Sequence, residues 1–249
     1  MQKIKKQLEL LLISYFRDCY PAFPKGRMLL SESPDFIVRA KHSKKIGIEL
    51  VRLFPEAPSH STEESKSEKL RFELIEITKE LFERSSSPKC FVKILFSEKK
   101  KIGEERILAL AAQLANLLRV KLSNKNERSF FVYHFSSKEL PEGIDEVLVI
   151  HHPKISESLW EEVNNSGISE DIEADLHRLI QKKEEKMYLY RKQQLDEYWL
   201  LITGDLLRNT RNSNISNFIL NEKESAFQRI LFFDLMKSKV IELKMPSSG

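Results

Sequence analysis

Residues 32–54 read ESPDFIVRAKHSKKIGIELVRLF. Two runs of β-formers, FIVR (36–39) and IGIELV (46–51), flank the polar turn KHSKK. A hairpin centred on His42 makes opposed positions sum to 84. Phe36 then faces Ile48 and Val38 faces Ile46, a wholly apolar face suited to a core. The other face pairs Asp35 with Glu49, Ile37 with Gly47 and Arg39 with Lys45. Directly opposed side chains in such a pair have Cβ atoms roughly 4.5–5.5 Å apart. Two carboxylates that close repel each other unless a cation sits between them or one holds a proton. Gly47 is expected to leave room for something to approach. A magnesium or manganese ion bridged by Asp35 and Glu49 is the economical reading, since such ions take hard oxygen ligands from one or two carboxylates, water and phosphate. The competing reading makes Asp35 an Asx-turn residue after Pro34 and Glu49 an exposed strand residue. A register slip of one residue would separate the two acids.

Outward from the hairpin, the chain alternates helices and strands. Ile4, Leu8, Leu11 and Tyr15 predict an amphipathic helix over about 2–18, stopped by Pro21 and Pro24. Leu70, Leu74, Ile77 and Leu81 predict a second helix over 63–84, with Ser61 or Thr62 as its N-cap. CFVKILF (90–96) reads as a buried strand and 104–119 as a buried helix. FFVYHF (130–135) and VLVIHH (147–152) follow as strands, then a long helix over 168–194 and the strand YWLLITG (198–204). The segment 209–221, rich in Asn and Ser, reads as an irregular loop, and the chain closes on a strand pair at about 228–245. This alternation predicts an α/β (α+β) fold, a mixed β-sheet flanked by helices in one domain over 1–249.

The 249 residues carry 41 Lys+Arg and 37 Asp+Glu, and 41% are hydrophobic, a balance that excludes disordered, collagenous and membrane-embedded chains. No apolar run approaches the ~18 residues of a spanning helix. The N-terminal MQKIKKQLELLLISYF reads as an amphipathic helix, not a signal peptide, so a cytoplasmic protein is expected. Cys19 and Cys90 fit no CxxC or Cys/His spacing and read as reduced thiols. The first 60 residues hold 11 basic and 6 acidic side chains, a balance of +5, against −1 for the rest. That imbalance suits a phosphate backbone, and equally a solvated face. With 7 glycines and no GxGxxG, GxxxxGK[ST], GxSxG or HExxH pattern, phosphate loops, serine nucleophiles and zincin sites are not indicated. His134, His151 and His152 read as structural.

The long predicted helix turns Leu176, Leu179, Ile180, Met187 and Tyr190 to one face, and Lys183 falls in the middle of it. A lysine rarely buries without a partner, so an inward Lys183 calls for a carboxylate or a phosphate; the alternative is a lysine snorkelling from a solvated helix. Lys186 lies three further on, at an adjacent edge.

Pro34-Asp35, a short strand, a turn and Glu49 in an apolar strand, with a helix before and a helix and strand after, resemble the PD-(D/E)xK nuclease superfamily. The run Ile180-x-x-Lys183-x-x-Lys186-x-x-x-Tyr190-Arg191, followed by Trp199-Leu200-Leu201-Ile202, is similar to a subgroup in which the lysine has moved to a later helix. The resemblance implies a restriction-endonuclease-like core and phosphodiester hydrolysis of nucleic acid, with DNA the expected partner. It implies Asp35 and Glu49 as ligands to magnesium or manganese, with Glu32 as a further acid, and Lys183, with Lys186 behind it, as the basic group. Glu9 on the first helix is a further acid that such nucleases place nearby. Val51 stands where the strict motif has lysine, and Arg52 points to the opposite strand face. Such nucleases often pair as homodimers to cut two strands. A catalytically inactive module of the same fold, binding nucleic acid or a protein partner, is the alternative, and a structural protein with no site there is the third reading.

Overall fold

The computed structural model describes residues 2–53, 62–84, 87–163, 172–205 and 225–244. In chain order the elements are α1 (Gln2–Cys19), β1 (Gly26–Leu30), β2 (Phe36–Ala40), β3 (Lys45–Arg52), α2 (Thr62–Glu83), β4 (Cys90–Phe96), α3 (Ile107–Leu122), β5 (Phe131–Ser136), β6 (Ile144–His151), β7 (Leu159–Glu162), α4 (Ile172–Glu184), α5 (Met187–Arg191), β8 (Glu197–Gly204), β9 (Arg229–Asp234) and β10 (Lys239–Lys244). The expected loop at 209–221 lies outside the described residues, as do positions 168–171 of the expected long helix. No helix among the described residues is long and apolar enough to cross a membrane.

Contacts gather the chain into two compact units, Met1–Leu11 with Ala57–Ser166 and Leu12–Glu56 with Gly167–Gly249. Each has its own mixed sheet, where the sequence reading expects one domain over 1–249 on a single sheet. Alternation of side chains marks a strand but not its partner, so the division between sheets is invisible in the pattern.

In the first unit the sheet order is β5-β6-β4-β7, antiparallel except for β4 with β7. Cys90, Val92, Ile94 and Phe96 of β4 share a core with Leu74 and Phe82 of α2 and Leu110, Leu114 and Leu118 of α3. All seven residues of β4 are buried, as a run that is apolar at six of seven positions predicts. The exception in chemistry is Lys93, whose ammonium pairs with Glu161 on β7 at 2.6 Å.

In the second unit the order is β1-β2-β3-β8-β9-β10. β1, β2 and β3 form an antiparallel meander, β3, β8 and β9 run parallel, and β10 returns antiparallel to β9 as the expected C-terminal pair. The parallel step from β3 to β8 needs a long crossover, and α4 and α5 lie in it. These helices cover one sheet face: Leu176, Ile180, Met187 and Tyr190 pack on Leu200, Ile202, Ile230 and Phe232. On the other face, Tyr15 and Phe16 of α1 meet Phe233 edge-on, with centroids 4.9 and 5.7 Å apart, and Tyr20 meets Trp199.

The hairpin has the expected register over four pairs, Phe36 opposite Ile48, Ile37 opposite Gly47, Val38 opposite Ile46 and Arg39 opposite Lys45, and the ladder stops there, short of the expected Asp35–Glu49 pair. Its connection is a short 3-10 turn over Lys41–Ser43, closed by left-handed His42 (φ 58°) and Ser43 (φ 63°). Gly47 corrects the sequence reading. The space beside it is filled: a Cβ there would stand 2.6 Å from Pro34 Cγ and 2.7 Å from Leu195 Cδ1. Glycine lets the proline ring sit down on β3, and that contact holds the chain just before Asp35. Gly47→Ala is therefore expected to destabilise the protein by about 1–3 kcal/mol, the usual range for overpacking, read as a lower urea midpoint at unchanged slope. An unchanged midpoint would mean that Pro34 and Leu195 yield freely.

Candidate functional site

The site starts where the β2–β3 ladder ends. Beyond the Phe36–Ile48 pair the next inward amide of β3 is that of Leu50. That amide goes to a side chain and not to the opposite backbone: Leu50 N–H donates to Asp35 Oδ2 at 2.9 Å. The Asp35 carbonyl in turn accepts from Ser31 N–H at 2.9 Å. A carboxylate bonded to a backbone amide is a strong, charge-assisted contact. Asp35 is thereby fixed on β3 at the residue after Glu49, and the bond is to a strand fifteen residues away, not the local turn of the Asx reading.

Glu49 lies in the middle of β3, and its register partner on β8 is Leu200, on the face that α4 and α5 cover. It is buried, 6% exposed, contrary to the exposed-strand reading. Lys183 Nζ, from the last turn of α4, donates to Glu49 Oε1 at 2.7 Å, with the two side chains 16% and 8% exposed. The predicted inward lysine thus meets one of the two predicted acids. The long expected helix is broken after Glu184, and α5 restarts at Met187 with Lys186 N–H bonded to Lys183 O at 3.1 Å. Nothing in the periodicity marks this break, because EEKM carries neither proline nor glycine.

One residue joins the site that sequence reasoning assigned only to the core. Tyr190 on α5 is 1% exposed, and its hydroxyl meets no hydrogen-bond partner. Burial pushes this phenol well above its usual range, and the negative charges of Glu49 and then Asp35 push it the same way. The hydroxyl stands near Glu49 without a well-formed bond to it. A buried tyrosine hydroxyl normally finds a partner. The sequence signal was the phenol itself, since phenylalanine would fill the same apolar position with no polar atom to satisfy.

Glu32 is exposed, and among the described residues no group of three or more His, Cys, Asp or Glu can hold a metal ion. The acidic set is therefore Asp35 with Glu49, without Glu32. Lys186 is exposed at the turn after α4. Glu9 is paired with Lys5 one turn earlier at 3.4 Å. Val51 is partly buried against the same apolar core as Tyr190, so the strict motif position holds no base. His151, as expected, is structural: its ring nitrogens face the carbonyls of Lys89 and Glu127 at 2.6 and 2.8 Å.

Two carboxylates, an ammonium and a neutral hydroxyl thus meet at one end of the hairpin. The donor set fits magnesium or manganese, which need only one or two carboxylates beside water and phosphate. The unpartnered Tyr190 hydroxyl agrees with a site built to receive a further polar group. Asp35 and Glu49 would hold the ion.

The ion pair makes a stability prediction. Removing one partner leaves the other buried and uncompensated. Lys183→Met and Glu49→Gln are each expected to destabilise by about 3–5 kcal/mol, and the double variant by less than the sum. Urea unfolding of the four proteins measures the coupling, and strict additivity would show that the pair carries no energy.

Compared with family models, with curated proteins and with solved structures, the chain finds no match, so what is said of this site rests on its own geometry.

Proposed function

We propose that the protein is a metal-dependent nuclease with a restriction-endonuclease-like core in its second unit, hydrolysing phosphodiester bonds of nucleic acid, DNA foremost. The observation that carries this reading is the meeting of Lys183 with Glu49 beside Asp35. A lysine on a helix bonded to an acid of the hairpin is the arrangement that a basic group displaced from position 51 would require.

Each side chain has a distinct task. Asp35 and Glu49 supply hard oxygen donors on the rigid hairpin. When bound there, a divalent cation would polarise the phosphoryl oxygen and acidify a water. Lys183 has three donors and spends one on Glu49, which leaves others for a water or a non-bridging phosphate oxygen. Tyr190 offers its buried hydroxyl as a further donor beside Glu49. Donors aimed at developing charge from a dry site are worth more than the same donors in water.

The alternative, an inactive module of the same fold, draws on Val51, which packs into the core where the strict motif has lysine. A cleavage assay separates the two. Supercoiled plasmid and single-stranded DNA are expected to be cut with Mg²⁺ or Mn²⁺, and not with EDTA. Lys183→Ala is expected to lower the rate by about 10²–10³, the usual loss for one electrostatic donor, while circular dichroism reports a folded protein. Absence of cleavage with either metal would favour the binding module. A wild-type rate in the Ala variant would remove Lys183 from the mechanism.

A further inference from the structure

The hairpin face that carries Asp35 and Glu49 continues, at its other end, into a row of positive charge. Arg27 on β1 lies directly opposite Arg39 on β2, and Arg39 lies directly opposite Lys45 on β3. All three are exposed. Opposed residues of an antiparallel pair share a face, and positions two apart on a strand return to it. Arg39 on β2, and Lys45 and Glu49 on β3, are therefore on one face of the sheet, and Asp35, just before β2, is in phase with Arg39. Among the described residues none of the three cations has a side-chain ion pair or hydrogen bond; Asp196 uses its carboxylate on the Lys45 backbone N–H at 2.7 Å.

Like charges directly opposite each other across a sheet are destabilising. A single charge on an edge strand guards against edge-to-edge pairing. That role accounts for Arg27 on β1, but not for two further cations in line with it on the inner strands β2 and β3. A row of three unpaired cations on adjacent strands suits a ligand that brings several negative charges at short spacing.

We propose that Arg27, Arg39 and Lys45 form a track for the phosphate backbone of a nucleic acid and feed it toward the acidic end of the hairpin. Four residues separate the row from the acids along each strand, a distance of roughly 13 Å at about 3.3 Å per residue. Duplex DNA presents one phosphate per strand every ~3.4 Å of axis. The track therefore grips the backbone about four nucleotides from the bond at Asp35 and Glu49, and it requires a polymer and not a mononucleotide. This footprint rests on the nuclease reading above; the binding row does not.

The test uses the full chain and a fluorescein-labelled DNA duplex, with binding read by anisotropy in EDTA over a salt series. The row variant carries Arg27→Gln, Arg39→Gln and Lys45→Gln. A control removes three exposed lysines of the first unit, Lys99→Gln, Lys101→Gln and Lys138→Gln, with the same change in net charge. Each phosphate contact contributes about 0.9 to the slope of log affinity against log salt. The row variant is expected to lose about two to three from that slope and more than tenfold in affinity at low salt, with a melting temperature no lower than wild type because repulsion is relieved. The control is expected to keep most of its slope. Equal losses in the two variants, or a wild-type protein that does not bind at low salt, would overturn the track. Wild-type binding through the row without cleavage under Mg²⁺ or Mn²⁺ would support the track and remove the nuclease reading. Cleavage by wild type, with the row variant binding like the control, would do the reverse. With an active wild type, cuts closer than about four nucleotides to both ends of a short duplex would overturn the footprint.

Discussion

A lysine on an otherwise apolar helix face is the constraint that organises the second unit. Leu176, Ile180, Met187 and Tyr190 must face the sheet to be buried, and Lys183 lies among them. Its ammonium then needs a negative partner in a region with little water, and Glu49 is that partner at 2.7 Å. The pair sets which turn of α4 rests on which residue of β3. Such a pair brings little net stability over well-packed apolar side chains, because both charges lose hydration. A chain selected for stability alone has no need of it at the centre of this sheet, which is why a chemical role for the pair is the natural reading.

The hairpin supplies the other half of the arrangement. Its apolar face, Phe36 and Val38 against Ile46 and Ile48, fixes a register that a one-residue slip would destroy. That register brings Asp35 beside Glu49. Pro34 packed on Gly47, and the Asp35 carboxylate bonded to Leu50 N–H, then hold the turn into the strand. The same alternation that groups the acids at one end groups Arg39 and Lys45 at the other, and β1 adds Arg27 to that row. Charge of opposite sign is thus separated along one sheet face by the period of the strand, with an apolar middle of Ile37 and Gly47 between.

Much of this was legible because it depends on short-range pattern. The hairpin register followed from two apolar pairs and a polar turn, and the inward lysine from helical spacing around Leu176 and Tyr190. What could not be read depends on partners far apart in sequence. β1, GRMLL, is a short edge strand after two prolines, and β7, LWEE, is four residues long, so neither has enough alternation to announce itself. The split into two sheets is decided by which strands pair, and no strand encodes that alone. The break after Glu184 occurs in a run of good helix formers, where tertiary packing overrides propensity. Gly47 was misread as open space because the sequence does not say what packs on a glycine. Glu32 and Lys186 were expected beside Asp35 and Lys183 from their spacing in sequence, and both side chains are exposed. Tyr190 was seen as an apolar residue, since its ring fits the stripe and only its surroundings reveal an unpartnered hydroxyl.

The central claim is that Asp35 and Glu49 share one divalent cation. Calorimetric titration of Mn²⁺ into the folded wild-type protein, with Asp35→Asn alongside, tests it most directly. The account expects one saturable site in the wild type, competed by Mg²⁺, and its loss in the variant while the circular dichroism spectrum is unchanged. A titration with no saturable site in the wild type, or the same site in Asp35→Asn, would contradict it.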